Sequence, residues 1–182
     1  FSSISPFEDS KNKTERYSDR SIQGIVKAVY EMAKVKTGAL IVVEREIQCR
    51  EFERTGIPID AEISSQLLIN IFEHNTPLHD GAVILRDNRV VSATCYLPLS
   101  DNLELSKDLG TRHRASIGVS EVSDSLTIVV SEETGVVSVA AEGKLTRHVD
   151  AEAMTELLRR VSRKSSDSSR RRWWRGAKKH EK

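Results

Sequence analysis

Leu126-Thr127-Ile128-Val129-Val130-Ser131-Glu132-Glu133-Thr134-Gly135-Val136-Val137-Ser138-Val139-Ala140-Ala141 is the stretch on which the fold turns. Two apolar, β-branched runs, 126–130 and 136–141, flank a polar insert closed by Gly135. That pattern predicts a β-hairpin with 131–135 at its tip. Just upstream, Thr111 is placed to cap a helix over about 112–122. A hairpin joined directly to a helix already argues for a sheet with helical cover.

Further upstream, Ala39–Val43 and Gly81–Leu85 are short apolar runs that read as buried strands. Asp87-Asn88 turns the chain into Val90–Leu97, which alternates with Val91, Ala93, Cys95 and Leu97 on one face. Ile22, Ile25, Val26 and Val29 form a helical stripe behind an Asp19 cap, and Gly38 ends that pattern. Gly56-Ile57-Pro58 breaks the chain, and Ser64 or Ser65 opens a second helix through Leu67, Leu68 and Ile71. Residues 75–80 and 98–109 read as loops. Asp150 caps a last helix through Met154, Leu157, Leu158 and Val161. The expected fold is α/β: a central mixed β-sheet flanked by helices, in one domain over 20–161.

The 182 residues suffice for one such domain with tails, and 38% apolar content with only 5% aromatics predicts a core of Val, Ile, Leu and Ala. The net charge of +1 conceals an asymmetry. From Arg159 to Lys182 there are eleven Lys/Arg and two Asp/Glu, so the other 17 basic and 25 acidic residues leave the body at −8. Residues 1–19 read as a polar linker and 162–182 as a basic, disordered tail. Within that tail, Arg170-Arg171-Arg172-Trp173-Trp174-Arg175 would suit nucleic acid or an anionic membrane, though a merely solubilising role explains it equally. Cys49 and Cys95 lack metal-ligand spacing, which fits a reducing, intracellular compartment. No apolar run reaches membrane-span length. The chain starts at Phe1 and not Met, so further sequence is expected upstream.

Four segments carry candidate chemistry. His79-Asp80-Gly81-Ala82 places an imidazole and a carboxylate where a loop enters a buried strand, able to hold a divalent cation or take a hydroxyl proton. By itself, Asp-Gly is also a common turn. Gly110-Thr111-Arg112-His113-Arg114 sets two guanidinium groups at a helix start, where free N–H groups and the dipole attract anions. Ser131-Glu132-Glu133 at the hairpin tip offers a carboxylate for a cation site. Tyr96, off the apolar face of its strand, offers a ring to stack on a base.

Together these segments resemble the diadenylate cyclase family. Leu78-His79-Asp80-Gly81-Ala82-Val83 followed by Leu109-Gly110-Thr111-Arg112-His113-Arg114-Ala115 is similar to its paired signature. Thr37-Gly38-Ala39-Leu40-Ile41-Val42, Cys95-Tyr96-Leu97-Pro98-Leu99-Ser100 and 126–135 match as well, so the resemblance spans about 22–158. The wording is most like the membrane-linked branch, which implies transmembrane helices upstream and a catalytic domain at the cytoplasmic face of the membrane. The resemblance implies condensation of two ATP into cyclic di-AMP by two domains meeting head to head, with Mg²⁺ or Mn²⁺. It implies catalytic roles for Asp80, Arg112, His113 and Arg114. Substrate contacts fall on Gly81, Ala82, Tyr96, Leu97, Thr111, Ser131 and Glu132, and metal contacts on His79, Asp80 and Glu133. Nucleic acid is not an expected partner.

Overall fold

The computed structural model describes residues 15–164. The expected linker up to residue 14 and the tail from residue 165, with its Arg/Trp cluster, lie outside the described residues.

Seven strands form one mixed sheet in the order β2-β4-β3-β1-β5-β6-β7. They are β1 (Ala39–Val43), β2 (Ile57–Glu62), β3 (Ala82–Arg86), β4 (Arg89–Cys95), β5 (Leu126–Val130), β6 (Val137–Ala141) and β7 (Lys144–Thr146). Only β1 and β3 pair in parallel. The five other pairings are antiparallel. The helices are α1 (Asp19–Lys34), α2 (Arg50–Glu53), α3 (Ser65–Phe72), α4 (Thr111–Val122) and α5 (Ala151–Ser162). The expected fold class is therefore the one observed.

The central strands β1 and β5 are buried on every residue because both faces of the sheet are covered. Ala39, Ile41 and Val43 of β1 pack in a cluster with Ile22, Ile25, Val29, Leu68, Met154 and Leu158 of α1, α3 and α5. Leu40 and Val42 face the opposite cluster, with Ala115 and Val119 of α4. β5 divides likewise, Ile128 to the first and Val129 to the second. The period of two sends alternate residues into different cores.

Several local expectations are corrected. The cap of α1 is Ser18, whose Oγ accepts from Ser21 N at 3.2 Å, while Asp19 becomes its first helical residue. α4 is capped by Gly110, not Thr111, so no side chain accepts from its first amides. β4 does not keep one apolar face: its register slips twice against β3, and Thr94 adopts φ +55°. Ala93 consequently joins one core and Cys95 the other. β2 and β7 were not foreseen, because neither presents a run of buried residues. Residues 15–18 belong to the packed fold, not to a linker. Tyr17 is 1% exposed, its hydroxyl donates to Glu44 and Leu85 carbonyls at 2.8 and 3.0 Å, and the backbones of Glu15 and Arg163 form an isolated antiparallel β-bridge.

Candidate active site

Strand direction gathers the chemistry on one edge of the sheet. β1, β3 and β6 begin there, and β4, β5 and β7 end there. The edge therefore collects Gly38, Asp80-Gly81, Tyr96, the 131–135 turn and Arg147, although these lie far apart in sequence. α4 starts at the same edge, since a Cβ on Gly38 would stand 2.8 Å from Arg112 Cζ. Between these elements lies a cleft of about 930 Å³.

One wall is the entry to β3. Gly81 holds φ +82°, a conformation side chains resist, and its Cα faces Thr94 and Cys95 backbone so closely that a Cβ would lie 2.8 Å from Cys95 O. Asp80, just before it, is held out with its side chain 86% exposed. His79 Nδ1 lies 2.6 Å from Thr76 O, which can only accept, so that nitrogen carries the proton. Its Nε2 lies 3.3 Å from Asp80 Oδ1. Two facing electron donors are satisfied by a shared proton or cation, so the pair fits a divalent ion in part. Among the described residues no cluster of three His, Cys, Asp or Glu side chains forms, so His79, Asp80 and Glu133 do not make a ready ligand set.

The second wall is the uncapped start of α4. Arg112 Nη1 lies 3.3 Å from Glu132 Oε2 across the cleft. His113 is buried, and its Nε2 has no hydrogen-bond partner. Burial, then the charges of Arg147 and Arg112, hold its pKa below the ordinary histidine value, against a smaller opposing pull from Glu133. It is therefore neutral at pH 7. The third wall is the hairpin turn, where Ser131 Oγ accepts from Glu133 N and Thr134 N, both at 3.3 Å. Those bonds fix the turn and leave the Ser131 O–H free to donate. At the far end Tyr96 stands 76% exposed, its amide donating to Thr55 Oγ1 at 2.8 Å.

Of the residues expected at the site, His79, Asp80, Gly81, Tyr96, Leu97, Thr111, Arg112, His113, Ser131, Glu132 and Glu133 line the cleft. Ala82 and Arg114 do not. Ala82 is fully buried in the α4-side core. Arg114 lies about 200° around the helix from Arg112. Its carbonyl accepts from Ser100 N at 3.1 Å. Leu40, inside the 37–42 match but given no site role there, and Lys107 and Arg147, outside every motif, also line the cleft. A strand reading that included β7 would have placed Arg147 at this edge.

Comparison with known proteins gives the family and the fold. Residues 26–145 match the family profile described as DisA bacterial checkpoint controller nucleotide-binding, DAC. The chain belongs to the DAC family. Relatives in it include the cyclic di-AMP synthase CdaA of Bacillus subtilis, 52% identical over 174 residues, covering 94% of this chain and 64% of the relative. A diadenylate cyclase of Listeria monocytogenes is 54% identical over 147 residues, covering 81% and 54% respectively. The chain thus spans less than two thirds of these curated relatives. Among solved structures, a double mutant of DacA from Staphylococcus aureus superposes with TM-score 0.77 at 50% identity, covering 79% of this chain and 95% of that one. A Bacillus cereus structure described as a hypothetical membrane spanning protein gives 0.69 at 45% identity, covering 72% and 64%. The DAC match encloses every cleft wall except Arg147, two residues past its end.

Proposed function

We propose that this DAC domain condenses two ATP molecules into cyclic di-AMP and releases two pyrophosphates. The observation that carries the reading is the single cleft in which the exposed Asp80 carboxylate meets the uncapped, arginine-bearing start of α4. Its relatives' names point the same way.

Each ribose 3′-oxygen must form a bond to the other nucleotide's α-phosphorus as the α–β bridging P–O bond breaks. The 3′-proton needs an acceptor, and Asp80, its side chain 86% exposed beside the Gly81 turn, is the carboxylate assigned to take it. Arg112 and the free amides of α4 offset charge on the phosphates and on departing pyrophosphate. Neutral His113, with its unpartnered Nε2, supplies a further polar contact. The Ser131 hydroxyl donates to phosphate oxygen, Gly81 lines the nucleotide, and Tyr96 and Leu97 cover the adenine. The cleft carries Asp80, Asp108, Glu132 and Glu133 beside its cations. A bound Mg²⁺ or Mn²⁺, held by His79 and Asp80 with Glu133 beside it, would neutralise triphosphate charge and favour the leaving group.

One cleft accommodates one ATP, so two domains must face each other to react. Specific activity should then rise with protein concentration until dimers saturate. Constant specific activity at dilutions where only monomer is present rules out the paired mechanism.

Among the described residues no helix is long and apolar enough to cross a membrane. With relatives longer than this chain and a membrane spanning protein among its structural neighbours, the whole protein is proposed to be anchored upstream, with this domain on the cytoplasmic side. Incubation with ATP and Mn²⁺ followed by chromatography tests the activity. Cyclic di-AMP is the expected product, and its absence from folded, dimeric, metal-supplied protein overturns the reading.

A further inference from the structure

Arg147 is a cleft cation that belongs to no sequence motif. Arg147 directly follows β7, whose antiparallel pairing with β6 returns the chain to the cleft edge. Val149 N then donates to Val137 O at 3.0 Å, fixing the segment beside the tip end of the hairpin. Arg147 is exposed, lines the cleft, and makes no salt bridge among the described residues. Arg112, by contrast, is partly neutralised by Glu132.

Strand order gives the cleft a direction. From one end to the other the sheet edge presents Tyr96 after β4, Asp80 before β3, Gly38 with Arg112 at β1, Ser131 after β5 and Arg147 after β7. A nucleotide with its base on Tyr96 and its ribose near Asp80 runs its phosphates toward Ser131 and Arg147. On that same side the buried His113 Nε2 lacks a partner, and the Arg147 charge acts on this imidazole more strongly than that of Arg112. An uncompensated guanidinium beside an orphaned imidazole nitrogen suits phosphate oxygens.

We propose that Arg147 is a substrate-positioning residue that grips the terminal phosphates of the nucleotide and the pyrophosphate that leaves. This rests on reading the cleft as an ATP site. The test is calorimetric binding of ATP, AMP and inorganic pyrophosphate, with Mg²⁺, to the wild-type chain, Arg147→Gln and Arg147→Lys. Lys144→Gln, on β7 but outside the cleft lining, controls for charge loss. Arg147→Gln should weaken ATP and pyrophosphate at least about tenfold while AMP binding stays within about twofold. Arg147→Lys should recover part of the loss, and Lys144→Gln should bind like wild type.

Unchanged ATP affinity in Arg147→Gln, equal weakening of AMP, or an equal effect from Lys144→Gln overturns the proposal. If the expected split appears but no cyclic di-AMP forms, the cyclase reading fails and the phosphate contact stands. If product forms and Arg147→Gln binds normally, the reverse holds. A wild-type chain that binds neither ATP nor pyrophosphate sinks both.

Discussion

Arg112 occupies the space that a side chain at Gly38 would need: a Cβ there would lie 2.8 Å from both Cζ and Nη1 of the guanidinium. The residue just before β1 thus sets the path of an arginine some seventy positions later. Gly38→Ala should displace the guanidinium rather than unfold the chain, because the end of an arginine side chain can move. Stability should change by less than about 1 kcal/mol while ATP affinity and turnover fall. Chemical denaturation beside nucleotide titration checks this, and unchanged affinity would mean that Arg112 has no fixed role.

Gly118 makes the opposite kind of contact. A Cβ there would lie 1.9 Å from Pro98 O, a backbone atom. Neither α4 nor the 98–100 segment can yield cheaply, since Ser100 N bonds Arg114 O at 3.1 Å and Ser100 Oγ bonds Glu121 at 2.6 Å. Gly118→Ala is expected to cost about 1–3 kcal/mol of stability. A denaturation midpoint equal to wild type would contradict the packing described.

His113 should make the fold sensitive to mild acid. Its folded pKa lies below the ordinary 6.5, chiefly through burial and then the Arg147 and Arg112 charges. The unfolded chain therefore takes up a proton, as pH falls through about 6.5, that the folded chain resists. The contribution of His113 is present above that range and is lost on acidification. Denaturation between pH 7.5 and 5.5 should show His113→Gln losing less stability than wild type. Identical slopes would remove His113 from the effect.

Asp80→Asn keeps the shape of an exposed side chain but removes a proton acceptor and an anionic ligand. Product formation should fall by at least about a hundredfold, as expected when a general base is lost. ATP binding should stay within a few-fold, since the arginine-bearing wall is untouched. Normal turnover by this variant would exclude Asp80 from the chemistry.

The two thiols should be inert in the folded protein. Cys49 and Cys95 are both buried, and Cys49 is pushed up to about 11 by burial and by neighbouring Glu44. Burial also raises Cys95. A charged thiol reagent at pH 8 should modify neither until the chain is unfolded. Rapid labelling of the native protein would contradict this.

Sequence alone established the central strands, the hairpin of β5 and β6, three amphipathic helices and the family. Each depends on short-range pattern: apolar runs, stripes at helical spacing, and motifs whose residues adjoin one another. Tertiary structure alone decided which of those residues share a cleft. β2 and β7 exist because β4 and β6 offer them ladder partners, not because of any apolar period of their own. Arg147 came into view with β7, and the turn of α4 sets Arg114 off the cleft lining. The direction of each strand end is a property of the whole sheet, and no local stretch of residues encodes it.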